Sequence, residues 1–136
     1  MASMNVLVAT VEREVYRGEA DFLVAPGASG DLGIMPKHSP LLAMLKSGEL
    51  RIQLGEKTDE VFVSGGYMEV QPDMITILAD TAERAADVDE AAATEATRHA
   101  AAYLESRNGE TDLAMAEAEL AIATARLDWL RKKKNR

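Results

Sequence analysis

The chain has 136 residues, 47% hydrophobic and 28% charged, with a formal net charge of −8 and no cysteine. That length holds one compact domain plus an appendage, and the composition is that of a folded globular chain rather than a disordered one. The missing cysteine excludes disulfides, thiolate nucleophiles and cysteine-ligated zinc, and the negative charge, with no basic aromatic-studded sheet, argues against nucleic acid as a partner.

The first residues, Met1 to Asn5, carry no basic segment ahead of a short apolar stretch, so they do not read as a signal or transit peptide. No apolar run reaches the roughly 18 residues of a membrane-spanning helix. From there to about Ala82, glycine or proline punctuates the chain and short alternating segments lie between. The clearest is Glu49 to Leu54, where Leu50, Ile52 and Leu54 share one face and Glu49, Arg51 and Gln53 the other. Further strands are predicted at Asn5 to Thr10, Glu14 to Tyr16, Asp21 to Ala25, Leu32 to Met35, Leu41 to Leu45, Glu60 to Ser64, Tyr67 to Val70 and Ile75 to Leu78. So many short strands favour a sandwich or a barrel. Gly55-Glu56-Lys57 and Gln71-Pro72-Asp73 read as hairpin turns, and Ser64-Gly65-Gly66 as a kink or bulge.

Beyond Ala82 alanine replaces glycine and proline, and the period shifts from two toward 3.6. The predicted division is 1–84 and 87–136. Asp87 or Asp89 can cap a first helix, with Glu90 completing a capping box from Asp87, and that helix should end near Arg107. Asn108-Gly109 supplies a turn, and Thr111 can cap a second helix running to about Lys133. In the second helix Leu113, Ala116, Leu120, Ala123, Leu127 and Leu130 form one stripe. The first offers mainly Ala93, Ala96, Ala100 and Ala101, with Tyr103 and Leu104 as its large apolar groups. Alanine allows close helix approach but buries little area, so docking of the hairpin should be only modestly stable.

No catalytic, cofactor-binding or metal-ligating set emerges. His38 and His99 are the only histidines; His38 sits beside Ser39, but nothing identifies a third member of a triad. The glycines of Gly27-Ala28-Ser29-Gly30 and Ser64-Gly65-Gly66 match no dinucleotide or phosphate-loop pattern and read as turns. Charge is uneven along the hairpin. From Asp87 to Glu119 nine acids stand against Arg98 and Arg107, and from Arg126 onward six bases stand against Asp128. Those bases either complement the helix macrodipole or form a contact for an acidic protein surface, and the pattern alone favours the first.

The stretch Gly30-Asp31-Leu32-Gly33-Ile34-Met35-Pro36-Lys37-His38-Ser39-Pro40-Leu41-Leu42 resembles the hallmark segment of the epsilon subunits of rotary F-type ATP synthases. Val63-Ser64-Gly65-Gly66-Tyr67-Met68-Glu69-Val70 and the run Ile75 to Arg84 resemble that family's later strands in the same order, so the resemblance spans essentially the whole chain. It implies a β sandwich followed by an α-helical hairpin, an all-β domain plus two antiparallel helices. It also implies a non-catalytic subunit of a proton-translocating ATP synthase, with no cofactor, peripheral on the cytoplasmic face of the cell membrane and touching the membrane only through the c ring. The β domain would join the gamma subunit to the c-subunit ring through Asp31, Leu32, Ile34, His38 and Leu41. The hairpin would inhibit ATP hydrolysis, its tail (Arg126, Arg131, Lys132, Lys133, Lys134) meeting acidic beta-subunit loops. Members that bind ATP resemble Ile/Leu-Asp-x-x-Arg-Ala at the first helix; here the run is Val88-Asp89-Glu90-Ala91-Ala92-Ala93, with Ala92 in the arginine slot. A guanidinium's bidentate phosphate contact is thereby lost. The alternatives are a generic adaptor, and a small enzyme or ligand carrier, for which no polar constellation is evident.

Overall fold

Alternation in the first half of the chain is realised as eight strands in a computed structural model that describes residues 2–88, 90–106 and 110–134. They are β1 (Met4–Ala9), β2 (Glu14–Ala20), β3 (Phe22–Gly27), β4 (Gly30–Ile34), β5 (Leu41–Leu54), β6 (Lys57–Gln71), β7 (Met74–Ala79) and β8 (Ala82–Arg84). The hydrogen-bonded order is β2-β1-β7-β6-β5-β3-β4, with β8 on β6. Every pairing is antiparallel except β1 with β7.

The long hairpin β5–β6 makes the domain a sandwich. Its ladder runs from Leu41 opposite Val70 to Leu54 opposite Lys57. The half containing 41–45 and 66–71 continues into β7, β1 and β2, whereas the half containing 47–54 and 57–64 carries β3, β4 and β8. Between the halves the buried positions change parity, from Leu45 to Leu50 and Ile52 in β5 and from Val61 and Val63 to Met68 and Val70 in β6. The sequence suggests two strands in each place because the alternation slips there, but the backbone pairing continues through the bend. Gly65 (φ 106°) and Gly66 (φ 123°) carry the bend in β6, and a β-carbon on Gly66 would lie 2.2 Å from the Leu78 carbonyl oxygen. Only glycine fits that approach to β7. The core between the layers is built from both, with Val6, Val8, Ile75 and Ile77 on one side and Leu23, Ile34, Leu50 and Ile52 on the other.

One corner of the sandwich is closed by side chains. The buried Ser64 hydroxyl accepts the Thr81 N–H at 3.0 Å and lies 2.5 Å from the Thr81 hydroxyl, while Ser64 N–H donates to Thr81 O. This leads directly into β8, which no alternation announces because it is three residues long.

After β8 come a 3-10 turn (Ala85–Asp87) and two helices, α1 (Glu90–Ser106) and α2 (Glu110–Lys134), packed on each other. The chain divides into compact units Met1–Ala85 and Ala86–Arg136. The Asp89 cap and the Asn108-Gly109 turn lie outside the described residues. Since α2 starts at Glu110, Thr111 falls inside the helix rather than capping it. In the α2 stripe Ala116, Leu127 and Leu130 are buried and Leu113, Leu120 and Ala123 half-buried. The α1 face differs from expectation: Ala96 is exposed, and the buried or half-buried run is Ala93, Thr97, Ala100, Ala101 and Leu104. Thr97 can lie inward because its hydroxyl is satisfied, donating to Ala93 O (3.0 Å) and sharing the proton with Ala123 O across the hairpin (3.2 Å).

Candidate interaction surface

The run Leu41-Leu42-Ala43-Met44-Leu45 is apolar at both parities, which on a strand means apolar on both faces. One parity faces the core, with Leu45 buried and Leu41 and Ala43 packed partly against it. The other leaves Leu42 70% and Met44 57% exposed. Register carries this across the sheet: Met44 opposes Tyr67, Tyr67 opposes Leu78 and Leu78 opposes Ala9, and Tyr67 and Leu78 are each 52% exposed. In the neighbouring row Leu42 opposes Glu69, Glu69 opposes Thr76 and Thr76 opposes the half-buried Leu7. The outer face of β5, β6 and β7 is thus an apolar strip where an ordinary two-layer sandwich is polar. Covering the remaining exposed area of Leu42, Met44, Tyr67 and Leu78 is worth about 1 kcal/mol each, or about three powers of ten in affinity together.

Beside Met44 the β3–β4 turn forms an open pocket of about 310 Å³ lined by Gly27 to Leu32, Ala43 and Met44. Asp31 is exposed at its wall, opposite Pro26 in the ladder, and Ala28 N–H donates to Met44 O to fix the turn against β5. Leu32 is half-buried against the core. Ile34 is corrected: it is 1% exposed and belongs to the core, because the alternation of β4 turns it inward. Leu41 is half-buried and opposes Val70. The turn at Pro36 to His38 is pinned to the β6–β7 turn, with Lys37 (φ 68°) donating its N–H to Pro72 O at 2.8 Å and His38 N–H reaching Met35 O. His38 is half-buried, and its Nδ1 lies 2.7 Å from Ser39 O, a carbonyl that can only accept, so Nδ1 is the donor of that bond. The structure therefore puts Asp31 beside Met44 and the His38 turn beside Pro72, with exposed Met35 in that turn.

On the hairpin, Arg131 and Lys132 are exposed and Arg126 is half-buried. Lys133 and Lys134 are helical, and their side chains lie outside the described residues. Arg131 Nε stands 3.9 Å from Glu90 Oε1, so the folded hairpin brings its basic end to the acidic start of α1. The pair is largely exposed and contributes a few tenths of a kcal/mol. Ala92 is exposed on α1. Trp129, outside the expected stripe, is buried. Among the described residues no helix is long and apolar enough to cross a membrane.

Comparison with known proteins gives a consistent result. The family described as ATP synthase, Delta/Epsilon chain, beta-sandwich domain matches residues 3–85, and the corresponding long alpha-helix domain matches residues 86–130. The chain is 50% identical over 126 residues to an ATP synthase epsilon chain of Nitrosococcus oceani, covering 92% of this chain and 90% of that one. It is 46% identical over 137 residues to one of Nitrosospira multiformis, covering 100% and 99%. Among solved structures it resembles a chain of the Euglena gracilis mitochondrial ATP synthase OSCP/F1/c-ring assembly (TM-score 0.79, 20% identity, 96% of this chain and 82% of that one). It also resembles a chain of the Tetrahymena thermophila mitochondrial ATP synthase central stalk/c-ring (TM-score 0.61, 20% identity, 96% and 95%). At that identity the structural likeness establishes the fold.

Proposed function

The chain belongs to the epsilon-chain family of ATP synthases, as a non-catalytic subunit of that complex, and we propose that its β domain couples the gamma subunit to the c ring while its hairpin inhibits ATP hydrolysis. The observation that carries the first part is the apolar strip Leu42, Met44, Tyr67 and Leu78, an interface surface bordered by Asp31 on one side and the pinned His38 turn on the other. A stalk subunit needs such a face to hold gamma, with polar groups at its margin for the ring. The two structural neighbours are chains of assemblies that include a c-ring in both cases and a central stalk in one, which supports this reading. The subunit would then lie on the cytoplasmic face of the membrane, touching it only through the ring of a proton-translocating enzyme.

For the hairpin, alanine-rich contacts keep docking weak, and a straightened segment from 89 to 133 would span roughly 65 Å at 1.5 Å per residue. That reaches a catalytic head, where Arg126 and the bases from Arg131 to Lys134 would meet acidic beta-subunit loops. The β-domain proposal is tested by the affinity of the intact chain for isolated gamma. Replacing Met44→Asp together with Tyr67→Asp should weaken it at least 100-fold with the circular dichroism spectrum unchanged, whereas Asp31→Ala with His38→Ala should weaken assembly with gamma and the c ring. Undiminished gamma binding in the first variant removes the strip from the interface, and failure of the wild-type chain to bind either partner favours a generic adaptor.

A further inference from the structure

The root of the hairpin is held by a polar cluster that the rotor contacts do not use. β8 pairs with β6 through only three positions, Ala82 with Val63, Glu83 with Phe62 and Arg84 with Val61. So short a ladder at the end of a domain is prone to fray. Its last residue is tied down further. Arg84 Nη2 donates to Asp59 Oδ1 at 3.1 Å, and its guanidinium carbon lies 5.5 Å from the centre of the Tyr16 ring. The Tyr16 hydroxyl donates to the other Asp59 oxygen at 3.4 Å, and Lys57 Nζ approaches that same oxygen at 3.9 Å. One carboxylate, its side chain 17% exposed, thus joins β2, β6 and β8.

These groups line a cleft of about 410 Å³ between β2 and the β5–β6 hairpin. Its bases are Arg17, Lys57 and Arg84 and its acids Glu14, Glu19 and Asp59. Arg17 pairs with Glu14 at 2.8 Å, Glu19 accepts from Ser3 at 3.1 Å, and both other bases face Asp59. A site for a charged ligand needs a net charge, and here three bases balance three acids, so the cluster acts on the chain itself. Directly after Arg84 the chain leaves the ladder for the 3-10 turn.

We propose that Tyr16, Asp59 and Arg84 form a clasp that sets where the hairpin's connection begins. Closed, it ends the β domain at Arg84 and starts the connection at Ala85. Open, it lets β8 peel from β6 and lengthens the connection by three residues, about 10 Å at 3.3 Å per residue. A charge-assisted hydrogen bond and a cation–π contact, both partly shielded, supply the hold that three ladder positions lack. The proposal rests on the hairpin moving as a unit, and it makes the clasp the device that fixes the reach of that movement.

The test uses the full-length chain, whose lack of cysteine allows two introduced at exposed positions, Glu56→Cys and Ala92→Cys, to carry spin labels. In Arg84→Met and in Asp59→Asn, amides of the β8–β6 ladder should exchange more than tenfold faster while those of β1 and β7 keep their rates. The distance distribution between the labels should broaden, with its upper limit extended by up to about 10 Å. Arg84→Lys, which keeps the charge, should recover part of the protection. Unchanged β8 exchange overturns the clasp, as does equal acceleration in every strand, and so does a freed β8 with an unaltered distance distribution. The exchange readout does not depend on the brake, so an assembled enzyme whose hydrolysis ignores the hairpin counts against the functional proposal and leaves the clasp to its own result.

Discussion

Replacing Gly66 by alanine is the sharpest test of how the sandwich is bent. The new β-carbon would stand 2.2 Å from Leu78 O and 2.7 Å from Ala79 Cα, both backbone of β7, where ordinary contact begins at 3.4 Å. Relief requires β6 and β7 to part by about 1.2 Å at the Gly66–Ala79 and Tyr67–Leu78 pairs, which weakens ladder hydrogen bonds worth about 1 kcal/mol each. Holding alanine at φ 123° adds a further strain of about 1–3 kcal/mol. The total is about 3–5 kcal/mol. Gly55 is the control: it also has positive φ (61°), but a β-carbon there meets nothing within 4 Å, so its cost is the left-handed penalty alone, about 1 kcal/mol. In thermal unfolding followed through strand amide resonances, Gly55→Ala should lower the midpoint by about 4–8 °C and Gly66→Ala by more than about 12 °C, using the scaling for a domain of this size. If the two variants fall within about 1 kcal/mol of each other, the close approach of β6 to β7 is not what demands glycine.

Burial pushes the Tyr16 phenol above its ordinary value of 10.0, the Asp59 carboxylate adds to the rise, and Arg84 opposes it. The fold favours the neutral phenol, so this contribution to stability is complete below pH 10 and is lost as pH climbs through the raised midpoint; ultraviolet titration should show a late phenol that disappears in Tyr16→Phe and moves earlier in Asp59→Asn. Changing Arg131, Lys132, Lys133 and Lys134 to alanine should raise the hydrolysis rate of the assembled enzyme, most at low salt because exposed charges are screened beyond about 8 Å at physiological ionic strength. An unchanged rate reduces the cluster to a helix-end feature. Calorimetric titration of the isolated chain with MgATP should give dilution heat only, since Ala92 offers no guanidinium among the acids at the start of α1, and a micromolar dissociation constant would refute this.

Most of the fold was legible because burial writes a period into the chain. Leu50, Ile52 and the α2 stripe from Leu113 to Leu130 show this directly. What was lost lies where the period is interrupted or too short to register. The bend of β5 and β6 splits one alternation into two, and β8 is three residues whose strand character comes from its neighbour rather than from its own residues. Thr97 carries no sign of facing inward because it is polar, although a hydroxyl that finds a carbonyl can face a partner helix. At the surface, Asp31 and His38 stood out through resemblance, while Met44, Tyr67 and Leu78 were hidden as ordinary strand apolars. Their signal was available: Leu41 to Leu45 is apolar on both faces, and a strand with no polar side implies a second layer or a partner. Ile34 shows the converse, since a residue inside a hallmark segment can serve the core alone.

The parallel pairing of β1 with β7 has a consequence for the birth of the molecule. From Asn5 to Ala9 each residue of β1 meets a partner 69 positions further along, Asn5 with Met74 and Ala9 with Leu78. By contrast, the β5–β6 hairpin closes from Leu54 opposite Lys57, and the Thr97–Ala123 hydrogen bond spans 26 positions. Distant pairings form late because the entropy of closing the loop must be met before the contact contributes. On the ribosome, β1 is therefore left without one of its two neighbours until residue 78 has cleared the exit tunnel, with Val6 and Val8 exposed in the meantime. Translation speed between β1 and β7 thus governs how long the nascent β domain is open to aggregation, and the hairpin, made after them and closed locally, adds little to that interval.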